Sequence, residues 1–242
     1  MMAITLAEAR LGANHMLAHL SDEHFAQLCT KLDRVHLEVK QVLHEPNAPI
    51  SHVYFPSNAA LSNLVFFADG SAVEVGTVGN EGFNAVELLA RASAATETCI
   101  CQVEGHSLRM TARDYLQAID GPTPLRHVSE CYLQAYLSQV SQTAACNRKH
   151  MLEARMARWL LITHDRVQGR EFTLTQEFLA DMLGVHRPSI SLIAAAFQDD
   201  GIIQYARGHM KILDRTKLEA LSCECYTCVR AQFKRVLGAP YG

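Results

Sequence analysis

Between Val35 and Met110 the apolar residues come in short runs whose period is near two. Residues 35–39, 51–55, 61–67, 72–75, 98–103 and 106–110 are rich in β-branched and aromatic side chains. Glu45-Pro46-Asn47, Pro56-Ser57-Asn58, Asp69-Gly70 and Glu104-Gly105 punctuate them as turns. Asp-Gly between two such runs is a hairpin signal. Many short strands closed by tight turns predict a small barrel or jelly roll. Ahead of it, Ser21 is placed to cap a helix with Asp22 and Glu23 in its first turn, the sign that the helix dipole favours.

After Pro124 the period lengthens. Leu125, Val128, Tyr132, Leu133, Tyr136, Leu137, Val140 and Ala144 recur at intervals of three and four, which predicts a helix from Leu125 to about Cys146. Such a stripe either packs on its own barrel or forms a seam with a second copy. The seven residues from Leu125 to Val140 are taken as the dimer seam, and the chain as a homodimer. A helix over 151–165 follows, with Trp159, Leu160 and Ile162 inward and a break at Gln168-Gly169-Arg170. The expected division is thus an α+β chain: a strand-rich part over 14–124, a dimerisation helix over 125–147, and a C-terminal part over 148–242.

Residues 174–203 read LTQEFLADMLGVHRPSISLIAAAFQDDGII. Thr175 can cap a helix whose apolar stripe is Leu179, Met182 and Leu183. Gly184 suits the positive φ with which chains leave helices, and Pro188 suits the first turn of the next helix, where a missing N–H costs nothing. Two helices that cross steeply over a short turn need a small residue at the contact, which Ala180 supplies, while Ile190 and Ile193 pin the second helix. Those spacings predict a helix-turn-helix. Asp200-Gly201 then leads into two strands around Arg207-Gly208, a β-wing. On this reading Arg187 is the base reader, its fork matching guanine O6 and N7. Thr175, Gln176, His186, Ser189, Ser191, Arg207, His209 and Lys211 are the other candidate contacts to double-stranded DNA, several of them suited to phosphates.

Composition and charge narrow the class. Apolar residues make up 49% and charged residues 19% of 242 positions, which fits a globular chain. No apolar run approaches the roughly 18 residues of a membrane span. The first residues lack a basic stretch followed by an apolar one, so a cytoplasmic protein without membrane partners is expected. Residues 1–146 carry 8 Lys+Arg against 15 Asp+Glu and residues 147–242 carry 14 against 10, an asymmetry that suits a nucleic-acid module joined to a sensory one. The chain has no Gly-x-Ser-x-Gly elbow, phosphate-cradling loop or His-Glu-x-x-His, so no enzyme activity, catalytic residue or cofactor is expected.

These motifs resemble the Crp/Fnr superfamily of bacterial transcription regulators. The helix-turn-helix segment with the wing YARGHMKIL carries the specific part of the likeness. HVYFPSNAALSNLVFF, DGSAVEVGTVGNEGFNAVELLA and CICQVEGHSLRM carry a looser one across about residues 14–226. The resemblance implies a cyclic-nucleotide-binding-like β-roll, a long dimer helix and a winged helix-turn-helix. It also implies a homodimer on a near-palindromic operator, with a small-molecule effector possible at the roll. Members that bind cyclic AMP carry Gly-Glu and later Arg-Ser or Arg-Thr around the cyclic phosphate. Here Val86-Glu87 and Glu97-Thr98 stand in those places. An acidic side chain facing a phosphate repels it, so Glu87, Glu97 and Thr98 mark a pocket not built for ordinary cyclic AMP. Many relatives place Glu after the recognition-helix Arg, where this chain has Pro188. Only Cys29 precedes Cys99 among its eight cysteines, unlike members with a cluster held by N-terminal cysteines.

Cys223-Glu224-Cys225-Tyr226-Thr227-Cys228 is left over. A C-x-C-x-x-C run can bind metal or form a redox pair, but three thiolates are one ligand short of a closed zinc site. Packing within a C-terminal helix is the expected role, with no metal. A thiol- or metal-based redox sensor using Cys223, Cys225 and Cys228 is the alternative function.

Overall fold

The computed structural model describes residues 14–167 and 171–238. Helices α1 (His15–Ala18) and α2 (Asp22–Cys29) open it, and Ser21 caps the second through the His24 N–H. Seven strands follow: β1 (Asp33–Leu37), β2 (Val42–His44), β3 (His52–Pro56), β4 (Ala60–Phe66), β5 (Ala72–Val78), β6 (Thr98–Val103) and β7 (Gly105–Thr111). They form two antiparallel sheets, ordered β1-β7-β3 and β2-β6-β4-β5. Gly70, at φ +83°, makes the β4–β5 hairpin turn that Asp69-Gly70 predicts. The predicted strands appear with ends shifted by a few residues. The strand β2, only three residues long, is too short to leave a period in the sequence.

After α3 (Ala112–Ala118) comes the long helix α4 (Pro124–Lys149), capped by Thr123 and begun by Pro124. Helix α5 (Leu152–Arg166) follows, and the break expected at Gln168-Gly169-Arg170 lies outside the described residues. The remainder is β8 (Glu171–Thr173), α6 (Gln176–Leu183), α7 (Arg187–Asp199), β9 (Ile203–Ala206), β10 (His209–Ile212), α8 (Arg215–Leu221) and α9 (Cys225–Leu237). The third sheet, β8-β10-β9, adds a strand that the sequence pattern does not announce. Among the described residues no helix is long and apolar enough to cross a membrane.

One hydrophobic core runs from the β-roll to the C-terminal helices. Tyr132 and Tyr136 of α4 are in it, 0% and 5% exposed. The reason is steric: a Cβ on Gly82 would collide with the Tyr132 ring, and one on Gly76 would sit 2.6 Å from the Tyr136 hydroxyl. The two missing side chains leave seats for the two rings, and Asn63 Nδ2 donates to Tyr136 Oη at 2.5 Å. Leu125 is buried as well, and Val128 packs half-buried against the same core. This corrects the predicted seam. Leu125, Tyr132 and Tyr136 serve their own chain, Val140 like Val128 packs half-buried against the core, and the residues of α4 left outward are Leu133, Leu137 and Ala144. Leu137 is 55% exposed.

Polar contacts fasten α5 to the β-roll. Trp159 Nε1 donates to Glu74 Oε1 at 3.0 Å, and Ser62 Oγ donates to Glu74 Oε2 at 2.6 Å. Arg166, 1% exposed, pairs with the buried Glu81 at 2.6 Å. It also donates to the Thr77 hydroxyl and, at 3.2 Å, to Gln139 Oε1. Thr163 accepts from Gln102 Nε2 at 2.8 Å. Buried groups of this kind must be paired, because an unpaired one costs its full desolvation penalty.

Candidate nucleic-acid interface

The helix-turn-helix is built from the residues that predict it. Thr175 accepts from Phe178 N at 3.1 Å and so caps α6. Gly184, at φ +62°, ends α6, its N–H bonding back to Ala180 O and Asp181 O. An L side chain in that conformation costs about 1–2 kcal/mol, and here a Cβ would also meet Val73 Cγ2 at 2.7 Å. Val185 N donates to Ala180 O at 3.0 Å and closes the turn. Ala180, Ile190, Ala194 and Phe197 are buried at the crossing of α6 and α7, with Ile193 partly buried beside them.

Because α6 lies against β5 and its turn meets Val73, the opposite side of α7 is left open. Arg187, Pro188, Ser189, Leu192, Ala195 and Ala196 are exposed along it. Leu192 is 74% exposed, an unusual position for a leucine unless the surface has a partner. Leu192 is not among the contacts predicted from the sequence. Its signal is that it stands four residues after Pro188, in a row where solvated polar side chains would be expected.

The other predicted contacts fall into two groups. His186, Arg187, Ser189, Arg207 and His209 are exposed on α7 or the wing. Arg207 and Gly208 both have positive φ, 49° and 82°, the two-residue turn that matches strand twist, and it holds Arg207 at the wing tip. The second group is already engaged. Ser191 Oγ donates to Gln176 Oε1 at 2.6 Å, tying α7 to the start of α6. Gln176 N in turn donates to Tyr205 Oη at 3.2 Å. Lys211 sits inside the wing strand, not at its tip, with Nζ 3.4 Å from Glu171 Oε1. That pair takes up part of the charge assigned to phosphate. The acidic strand β8 is the feature that the sequence reading did not weigh.

Four arginines of the C-terminal part are engaged internally: Arg155 on Leu183 O, Arg158 on Thr143, Arg166 on Glu81 and Arg215 on Asp165.

In the β-roll, Glu87 lies in the turn Val86–Ala90, and Glu97 is near enough to feel its charge. Glu87 Oε1 accepts from Thr96 N at 3.2 Å and from its hydroxyl at 3.1 Å. Burial, then the charge of Glu87, push the Glu97 carboxyl up. Thr98 is buried. Two carboxylates with one already engaged make a poor seat for a phosphate. Cavities of about 310 and 440 Å³ lie elsewhere, one beside Asn58, Glu104 and Phe172 and one beside Leu20, Lys31 and Leu125.

The cysteines of the alternative reading differ in exposure. Cys223 and Cys225 are buried at the head of α9, while Cys228 faces solvent.

Comparison with known families adds the class. The Crp-like helix-turn-helix domain matches residues 154–221, which span α5 to α8. That segment is a Crp-like helix-turn-helix domain, and the chain as a whole is similar in fold to solved structures of Crp/Fnr regulators. Solved structures carry the fold over most of its length. FixK2 from Bradyrhizobium japonicum superposes with a TM-score of 0.67 at 12% identity, over 79% of this chain and 98% of that one. A protein of Eubacterium rectale ascribed to the crp/fnr family gives 0.65 at 19%, over 85% and 96%. The c-di-GMP responsive global regulator CLP from Xanthomonas campestris gives 0.62 at 14%, over 80% and 100%. Comparison with curated protein sequences finds no significant match.

Proposed function

We propose that the protein binds a near-palindromic operator as a homodimer, each copy laying α7 in the major groove and the wing along the flanking backbone. The observation that carries this reading is the open face of α7, with Arg187 at its start and Leu192 one turn on. Arg187 is the candidate for a guanine. Leu192 and Ala195 offer apolar surface of the kind that meets thymine methyl groups. Thr175, Gln176, His186, Ser189, Ser191, Arg207, His209 and Lys211 are assigned mainly to positioning. Gln176 and Ser191 act as a bonded pair, and Lys211 acts against the opposing charge of Glu171. The seam is assigned to Leu133, Leu137, Val140 and Ala144, whose spacing suits helix-against-helix packing.

The β-roll is read as a scaffold that positions the winged helix and does not take ordinary cyclic AMP. The acidic pair Glu87 and Glu97 supports this, as does the docking of α5 and α6 on the four-stranded sheet. Selection of duplexes from a randomised pool by the purified chain, with and without cyclic mono- and dinucleotides, tests the proposal. The expected product is a two-fold site with half-sites about one helical turn apart. Enrichment of single, unpaired half-sites would overturn the homodimer. Enrichment only in the presence of cyclic AMP would overturn the reading of the roll.

A further inference from the structure

We propose that Cys146, His150, Cys223 and Cys225 form a binding site for a single thiophilic divalent cation of the zinc class. Cys223 and Cys225 by themselves are two ligands short of a closed site. The fold supplies the others from the far end of α4, where Cys146 lies in the last turn and His150 is the C-cap. One ligand atom from each of the four residues lies within 4.8 Å of all the others. Cys146 Sγ is 3.5 Å from Cys223 Sγ, and Cys225 Sγ is 3.6 Å from His150 Nδ1. A zinc ion with bonds of about 2.3 Å to sulfur and 2.0–2.1 Å to nitrogen, at tetrahedral angles, spaces its ligand atoms by about 3.5–3.8 Å. The separations match with little movement.

Three further features fit a metal better than a chance meeting of thiols. Cys146, Cys223 and Cys225 are all buried and form a cluster of their own, apart from the main core. His150 Nε2 is 3.2 Å from the Glu224 carboxylate, which fixes the ring so that Nδ1 turns its lone pair to the thiols. A carboxylate behind the histidine is the usual outer partner of a metal-bound imidazole. Gln142 Nε2 donates to Cys225 Sγ at 3.0 Å, and hydrogen bonds to the sulfurs stabilise thiolates. Three thiolates and an imidazole select a soft or borderline ion over magnesium or calcium. The group is also too compact for an iron–sulfur cluster, whose ligands are spread over two or more irons. Binding would exchange the thiol protons for the metal without any redox change.

The site joins the end of α4 to the head of α9, on either side of the helix-turn-helix in the chain. A bound ion would clamp the C-terminal helix to the long helix at the point where the chain turns into α5. The inference does not depend on DNA binding, and its test reads the metal directly.

The full chain, purified under reducing conditions from zinc-supplemented cells, should retain about one zinc per chain through dialysis. C146S, H150A, C223S and C225S should lose it, while C228S and C131S keep it. Replacement by cobalt should give the intense visible bands of a tetrahedral ion and near-ultraviolet charge transfer from thiolate. Because the charge-transfer intensity counts thiolates in the unmutated chain, the test survives variants that do not fold. Metal-free protein that takes up no cobalt would overturn the proposal. So would a weak octahedral spectrum, equal loss of zinc in C228S, or a Cys146–Cys223 disulfide in place of the metal.

Discussion

Glu74 offers a direct test of how α5 is held on the β-roll. Its carboxyl is buried, and loss of water pushes it from an ordinary 4.5 up to about 7, against the Ser62 hydroxyl, the Arg166 charge, the Trp159 N–H and the Arg158 charge, which all pull it down. Each tenfold change in proton affinity is about 1.4 kcal/mol, so a difference of this size corresponds to about 3 kcal/mol between protonation states. The sign follows from which state holds the proton. Below pH 4.5 folded and unfolded chains are both protonated at this residue, and no penalty applies. Between 4.5 and about 7 the unfolded chain releases the proton while the folded one keeps it, so stability falls as pH rises. Above 7 both are ionised and the full penalty stands. Glu74→Gln keeps the shape and removes the titration. Relative to the unmutated chain its stability should rise by about 1–3 kcal/mol between pH 5 and pH 8, the loss of hydrogen bonding being common to both pH values. Urea unfolding followed by tryptophan fluorescence measures this, since Trp159 is the one tryptophan in the chain and its N–H is bonded to Glu74 itself. Other groups titrate in the same window, so the informative quantity is the difference between the two proteins. Parallel curves from pH 5 to 8 would show that Glu74 is ionised throughout and refute the reasoning.

Arg187→Ala should cost about 1–3 kcal/mol of operator binding and relax preference at one base pair per half-site; a titration on the selected duplex and its point variants checks both. Leu137→Glu places a carboxylate on the exposed stripe of α4 without touching the core, and should shift sedimentation from dimer to monomer while the circular dichroism stays unchanged. Arg166→Met leaves Glu81 buried and unpaired and should destabilise by about 3–5 kcal/mol in chemical unfolding, with Glu81→Gln in the same chain recovering part of the loss.

The local rules written into the sequence survive folding where a residue's own backbone enforces them. Gly70 and Gly184 sit at positive φ, Thr175 and Ser21 cap their helices, and Pro124 and Pro188 open theirs. The helix-turn-helix was legible because its constraints lie within some twenty consecutive residues, each acting on a neighbour three to five positions away. The strands β2 and β8 were not, since three residues carry no period and their pairing partners are remote.

What only the tertiary structure decided is which face of a helix meets which neighbour. Periodicity makes Leu125, Tyr132 and Tyr136 apolar on α4, but the gaps left by Gly76 and Gly82 in the roll are what turn the two tyrosines inward and leave Leu137 to solvent. The charge of residues 147–242 is a property of composition, yet only the fold decides which of its cations are paired, as Arg166 is with Glu81 and Lys211 with Glu171. Cys146 and His150 stand some seventy residues before Cys223 in the chain and carry no motif linking them to it. They meet because α9 folds back along α4, and no spacing rule operates across a distance that the chain closes only when its core has formed.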